Sequence, residues 1–236
     1  MRPFLILLAT LSLGACVNTP PAGTVLPTEA QIPEAPTGVP VSVARAQQVS
    51  ARMEPVAEAV CRAEIPGRNC DFDIVVLRDP RAGVNAFQTI DPENGRPLII
   101  LTVGLIYEVR SDDELAFVIG HEAAHHIAQH IDQQQSAAER GARIFGNTAI
   151  QSGASREEVI EAANLGALVG SRQFSQTAEL EADALGTIIT CRAGFDPVLG
   201  AELFSQLPEP QDNVLGTHPP NRERVRVVRQ VAAQNC

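Results

Sequence analysis

Apolar positions first recur at helical spacing, then cluster in short β-branched runs, then return to helical spacing. In the first stretch Val49, Met53, Val56 and Val60 recur at intervals of four, three and four, which predicts an amphipathic helix kinked or split at Pro55. The runs at 72–77, 84–88 and 98–102 read as strands, the last two separated by the turn-rich Asp91-Pro92-Glu93-Asn94-Gly95. From Ser111 onward everything reads as helix. Ser111 and Glu114 have the form of a capping box, so a long helix is expected to start there and run through His121 and His125. Further helices are expected over 136–169, 172–192, 197–206 and 220–236. The predicted class is α+β, helix-dominated, with a small three- or four-stranded sheet.

Residues 1–40 fall outside this pattern. Met1-Arg2-Pro3 is positively charged, and the apolar run 4–13 is too short to span a bilayer as a stable helix, so 1–15 reads as a signal peptide. It ends in Leu13-Gly14-Ala15-Cys16, small residues directly before a cysteine, which resembles a bacterial lipobox. Cys16 is then expected to carry the lipid that anchors the chain to a membrane, with ordinary cleavage after Ala15 as the alternative. Val17 follows instead of an aspartate, which favours the outer membrane over the inner. Residues 16–40 include Pro20, Pro21, Pro27, Pro33, Pro36 and Pro40 and read as an extended tether, leaving 41–236 as one folded domain. The expected address is the periplasmic side of the cell envelope.

Composition narrows the possible partners. A chain of 236 residues, 44% hydrophobic, is long enough for one domain with a sizeable core. Its net charge of -10 offers no basic surface, so nucleic acid is not an expected partner. With no Trp and a single Tyr, Tyr107, no aromatic platform for bases or sugars is indicated either. Export would let Cys61, Cys70, Cys191 and Cys236 form disulfides. Of three possible pairings, Cys61 with Cys70 and Cys191 with Cys236 is favoured: the first closes a short turn, the second ties down the C-terminus. Free buried thiols are the alternative. The cysteine spacing does not match a thiolate zinc site.

The chemistry centres on His121-Glu122-Ala123-Ala124-His125. Residues four apart on a helix lie about 40 degrees apart around its axis, so two imidazoles can converge on one ion. Glu122, about 100 degrees from His121, can act as general base on a water without itself ligating. In a chain with five histidines, chance produces this motif in roughly one sequence in a hundred, so a third ligand is required. Glu179-Leu180-Glu181-Ala182-Asp183 supplies one. Glu179 and Asp183 share a helix face, so Glu179 can ligate while Asp183 hydrogen-bonds the back of a ligating histidine. Glu181 points away and is the fallback ligand. From a straight helix neither His126 nor His130 can join that metal; both read as structural, with His130 near a helix end where a partly protonated imidazole suits the dipole. His218, in Thr217-His218-Pro219-Pro220, reads as a surface-loop histidine.

These residues carry a resemblance to the zinc metallopeptidases related to the heat-shock protease HtpX and the CAAX prenyl proteases, in particular their small periplasmic lipoprotein branch. It extends over about 43–230 and includes Val84-Asn85-Ala86-Phe87, Thr102-Val103-Gly104-Leu105, Asp113-Glu114-Leu115-Ala116, Ser171-Arg172, Ala193-Gly194-Phe195-Asp196-Pro197, and Thr217-His218-Pro219 with Arg224. The resemblance implies a zincin-type domain holding one Zn2+ on His121, His125 and Glu179, with Glu122 as catalytic base and Asp183 as supporting or proton-handling residue. It also implies that His218 can approach the zinc and occupy its fourth position, and that Arg224 stabilises an oxyanion or anchors its loop.

The expected activity is endopeptidase hydrolysis of unfolded or misassembled envelope proteins, bound extended along 84–88 or 98–102. The competing expectation is a chaperone-like assembly factor whose zinc site is latent, gated by His218.

Overall fold

The computed structural model describes residues 41–209 and 219–236; Cys16, His218 and the expected signal and tether lie outside the described residues. Helix α1 (Val43–Glu64) is capped by the Ser42 hydroxyl, which accepts the Arg45 N–H, and buries Ala46, Val49, Met53, Ala57 and Val60. It is one helix, not two. Pro55 sits on its exposed side, and Ala51, whose carbonyl loses a partner there, is exposed as well, so water can replace the missing bond.

Strands β1 (Asp73–Leu77), β2 (Ala86–Ile90) and β3 (Pro97–Thr102) form a three-stranded sheet in the order β1-β3-β2. β1 runs parallel to β3 and β2 antiparallel to it, which leaves β3 without a free edge. Its Ile99 and Leu101 are fully buried among the apolar residues of α1 and the next long helix. β2 starts two residues later than its pattern suggested, because Asn85 bonds through both N–H and carbonyl to the Thr102 hydroxyl. That hydroxyl also caps a short helix that the pattern did not signal, α2 (Val103–Glu108).

Helix α3 (Asp112–Ile127) begins as expected, with the Ser111 hydroxyl accepting the Glu114 N–H. The reciprocal half of the box differs: the Glu114 carboxylate takes the Arg110 N–H at 2.6 Å and the Gln206 amide at 2.6 Å. α3 stops at Ile127, and Gln129 adopts the left-handed region at φ 57. Helix α4 (His130–Gln151) follows directly.

The break expected near 169–172 lies instead at 152–155, and helix α5 (Arg156–Arg192) runs continuously past it. Two local signals fix the true boundary: Gly153 at φ 80, and a complete capping box between Ser155 and Glu158. Gly166 and Gly170 do not break the helix; their missing side chains let its backbone rest on Gly141 and Ala137 of α4. The chain closes with α6 (Pro197–Gly200), a 3-10 turn over Ala201–Ser205, and α7 (Asn221–Asn235). Disulfides join Cys61 to Cys70 and Cys191 to Cys236, the pairing expected. Among the described residues no helix is long and apolar enough to cross a membrane.

The crossing of α3 on α5 is unusually close. A Cβ added at Gly186 would stand 2.8 Å from the His121 nitrogen and 2.9 Å from its Cα; one at Gly120 would stand 2.7 Å from the Thr190 hydroxyl. A methyl group at Gly186 therefore has to push the two helices apart. Gly186→Ala is expected to destabilise the domain by about 1–3 kcal/mol in urea denaturation. Unchanged stability would show that the helices separate freely.

Candidate metal centre and active-site cleft

The helical repeat of α3 places His121 and His125 one turn apart, with their Nε2 atoms 3.0 Å from each other. Across the crossing, α5 presents Glu179, whose Oε2 lies 3.6 Å from His121 Nε2 and whose Oε1 lies 3.5 Å from His125 Nε2. Ligand atoms of the three residues all fall within 4.8 Å of one another. Nitrogen donors around a tetrahedral zinc stand about 3.3 Å apart, so this set fits a single ion. The donor chemistry agrees, since two imidazole lone pairs and a carboxylate turned inward repel unless a cation lies between them.

The opposite sides of the rings are held. His121 Nδ1 lies 3.0 Å from Asp183 Oδ1, and Asp183 is fully buried. Arg224, on α7, donates to both oxygens of Asp183, from Nε at 2.8 Å and from Nη2 at 2.7 Å. The same Nη2 is 3.3 Å from Glu179, and the guanidinium lies 4.1 Å over the Phe204 ring. The sequence left Arg224 between oxyanion donor and loop anchor; here these donors are directed at carboxylates.

Electrostatics follow from this packing. Burial opposes charge on Asp183, yet the hydrogen bonds from Arg224 and His121 hold its carboxyl below the ordinary range. For His121 burial is the largest influence and opposes charge, but the bond to Asp183 and the negative charges of Asp183 and Glu179 together outweigh it, so the net shift is upward. Burial together with the neighbouring His121 drives His125 down to about 3, which keeps that ring neutral and able to ligate.

Glu122 emerges beside His121 into a cleft of about 710 Å³. Burial raises its pKa, and its carboxylate accepts the backbone N–H of Gln88. The unpaired side of β2 therefore faces the cleft. Of the two strands proposed to receive a substrate, only the 84–88 segment qualifies, because 98–102 lies within the central strand, paired on both sides. Phe87, Phe174, Ala178, Leu203 and Leu207 make the remaining walls predominantly apolar.

His126 is structural, with Nε2 2.9 Å from the Asn69 carbonyl and its ring edge-on to Phe72. His130 departs from expectation. It is not at a C-terminal helix end; it opens α4, buried, with Nδ1 2.8 Å from His125 Nδ1, and burial lowers its pKa. The straight-helix premise fails at Gln129. Glu181, the fallback ligand, is outside the donor group and contacts His130 at 3.3 Å.

Removing the guanidinium would leave two carboxylates without their buried cationic partner. Arg224→Leu is expected to cost about 3–5 kcal/mol of stability, measured by urea denaturation of the metal-free protein. A loss below 1 kcal/mol would show that water already screens the cluster.

A family model described as Peptidase family M48 matches residues 43–232. The chain is 29% identical over 164 residues to Mitochondrial metalloendopeptidase OMA1 of Arabidopsis thaliana, covering 67% of this chain and 31% of that protein. It is 29% identical over 182 residues to a Putative beta-barrel assembly-enhancing protease of Vibrio cholerae, covering 69% and 35%, and 29% identical over 154 residues to the Beta-barrel assembly-enhancing protease of Escherichia coli, covering 58% and 31%. The chain thus spans about a third of the length of these curated relatives. M48 metallopeptidases are zinc-dependent, which agrees with the His121, His125 and Glu179 donor set. A match from the first turn of α1 into the last turns of α7 covers the folded domain, and the chain belongs to Peptidase family M48.

Proposed function

We propose that this chain is a zinc-dependent endopeptidase that cuts unfolded or misassembled proteins of the cell envelope. The observation that carries the reading is the placement of Glu122: one residue from the first donor of a three-residue zinc set, in an apolar cleft bordered by the open side of a strand. The envelope address rests on the export and lipidation pattern around Cys16, and on the name beta-barrel assembly-enhancing protease borne by the bacterial relatives.

Zinc bound by His121, His125 and Glu179 would acidify a water and polarise the substrate carbonyl. The protein's own groups do the rest. An extended substrate adds to β2 by main-chain hydrogen bonds, which recognise backbone and not sequence, so an unfolded segment qualifies and a folded one does not. Apolar walls favour apolar side chains next to the scissile bond and exclude water. Glu122 takes the proton of the attacking water and delivers it to the departing amine, and its burial, by raising its pKa, suits it to both steps. Asp183 holds the His121 ring in the tautomer that turns Nε2 inward, and Arg224 keeps Asp183 and Glu179 in place.

The decisive comparison is wild type against Glu122→Gln, in casein cleavage by purified zinc-loaded protein and in rescue of cells lacking the gene. The variant is expected to lose at least about 100-fold in kcat/KM while still binding zinc, and to fail in rescue. Full rescue by Glu122→Gln would overturn the peptidase as the biological function and favour a chaperone-like assembly factor.

A further inference from the structure

His130 is buried and has no step in the proposed reaction, yet its ring lies between a zinc donor and a carboxylate. Its Nδ1 is 2.8 Å from His125 Nδ1 and its Nε2 is 3.3 Å from Glu181 Oε2. One distribution of protons satisfies all of these contacts. His125 turns Nε2 toward His121 and Glu179, so to ligate through that atom it must carry its proton on Nδ1. That N–H points at His130 Nδ1, which must therefore accept. The His130 proton then resides on Nε2, where Glu181 receives it.

We propose that His130 and Glu181 are positioning residues, a two-member relay that fixes the tautomer and ring orientation of His125. The inference rests on the zinc peptidase reading and deepens it. Asp183 does for His121 in one step what Glu181 does for His125 in two. A ligating imidazole needs such a partner on its second nitrogen, and losing that partner typically weakens metal binding about 10–100-fold.

Two features of the backbone build the relay. The left-handed Gln129 reverses the chain so that the first residue of α4 folds back against the last turn of α3; a continuous helix would carry His130 to the side opposite His121. On α5, Glu179 and Asp183 share one face while Glu181 stands on another, so a single turn supplies a donor, the support of one histidine and the support of the next. Phe174 packs edge-on against the His130 ring, with centroids 5.8 Å apart, and restricts its rotation.

The test is zinc affinity of the purified protein, measured by competition with a chromophoric chelator, alongside the visible spectrum of the cobalt-substituted protein. His130→Leu keeps bulk but cannot accept, and is expected to raise the zinc dissociation constant about 10–100-fold and to alter the cobalt spectrum. His130→Asn places a carbonyl oxygen near the Nδ1 position and is expected to stay within about threefold of wild type, with the spectrum retained. Affinity unchanged in His130→Leu, or lost equally in His130→Asn, would overturn the relay. Should His130→Leu fail to fold, Glu181→Leu decides, because Glu181 is 56% exposed and folding does not depend on burying it. An unchanged dissociation constant in that variant would equally overturn the proposal. A wild type that binds no zinc, or that cuts as well with Glu122→Gln, would remove the peptidase reading and the relay with it. A zinc-binding, Glu122-dependent wild type with an indifferent His130→Leu removes the relay alone.

Discussion

The rest of the structure depends on two helix backbones touching. At Gly120 and Gly186 no side chain separates α3 from α5, and Gly186 lies directly against the main chain of His121. This contact turns two linear motifs into one site. With the axes that close, a residue three positions before Gly186 can reach the back of the His121 ring, and one a further turn back can reach its front. Those residues are Asp183 and Glu179. A pair of ordinary side chains at the crossing would set the axes at the usual separation of about 8–10 Å and put the carboxylates out of hydrogen-bonding range of the ring.

Burial then creates a charge problem that the site resolves internally. Glu122, Glu179 and Asp183 bring three carboxylates into a poorly hydrated volume against one guanidinium, Arg224, which leaves two negative charges for a divalent cation to neutralise. Arg224 is therefore as much part of the donor geometry as the helix crossing. Its two bonds to Asp183 hold that carboxylate ionised and aimed at His121, while its contact with Glu179 restrains the donor on the same helix face. The same burial that depresses His125 raises Glu122, so one environment leaves a neutral imidazole and a carboxyl group that holds its proton more readily on adjacent turns, as the proposed ligand and base roles require.

What could be read from the sequence was what helical periodicity alone determines. His121 and His125, Glu179 and Asp183 each sit four apart, and the spacing predicts a shared face before any tertiary contact is known. The sheet was legible from another local signal, short β-branched runs separated by turn residues. Features set by a single backbone conformation or by packing between distant segments were not. Gln129 carries no signal for a left-handed residue, since Gly or Asn is the usual marker, so the straight-helix argument misplaced His130. The break expected between 169 and 172 falls where Gly170 rests on Ala137 of α4, and a glycine read alone cannot distinguish a break from a close helix contact. The true break had a readable marker, the Ser155 and Glu158 box. Arg224 lies 41 residues from the carboxylate it grips, and no local pattern links them.

The C-terminal helix takes its meaning from this long-range grip. α7 brings one essential contact, Arg224, and packs on the helix that carries Glu179 and Asp183. Apart from that packing, two ties keep it there. The Cys191 to Cys236 disulfide joins the last turn of α5 to the end of α7, and Asn221, at the start of α7, bonds to the Leu207 and Pro208 carbonyls. Arg224 sits near the second tie, one turn into the helix, while the covalent link lies at the far end. Fixing a helix at both ends limits its rotation about its own axis, and rotation is the motion that would swing a guanidinium away from Asp183. The disulfide thus acts on the site at a distance, by restricting the orientation of the element that holds the carboxylates.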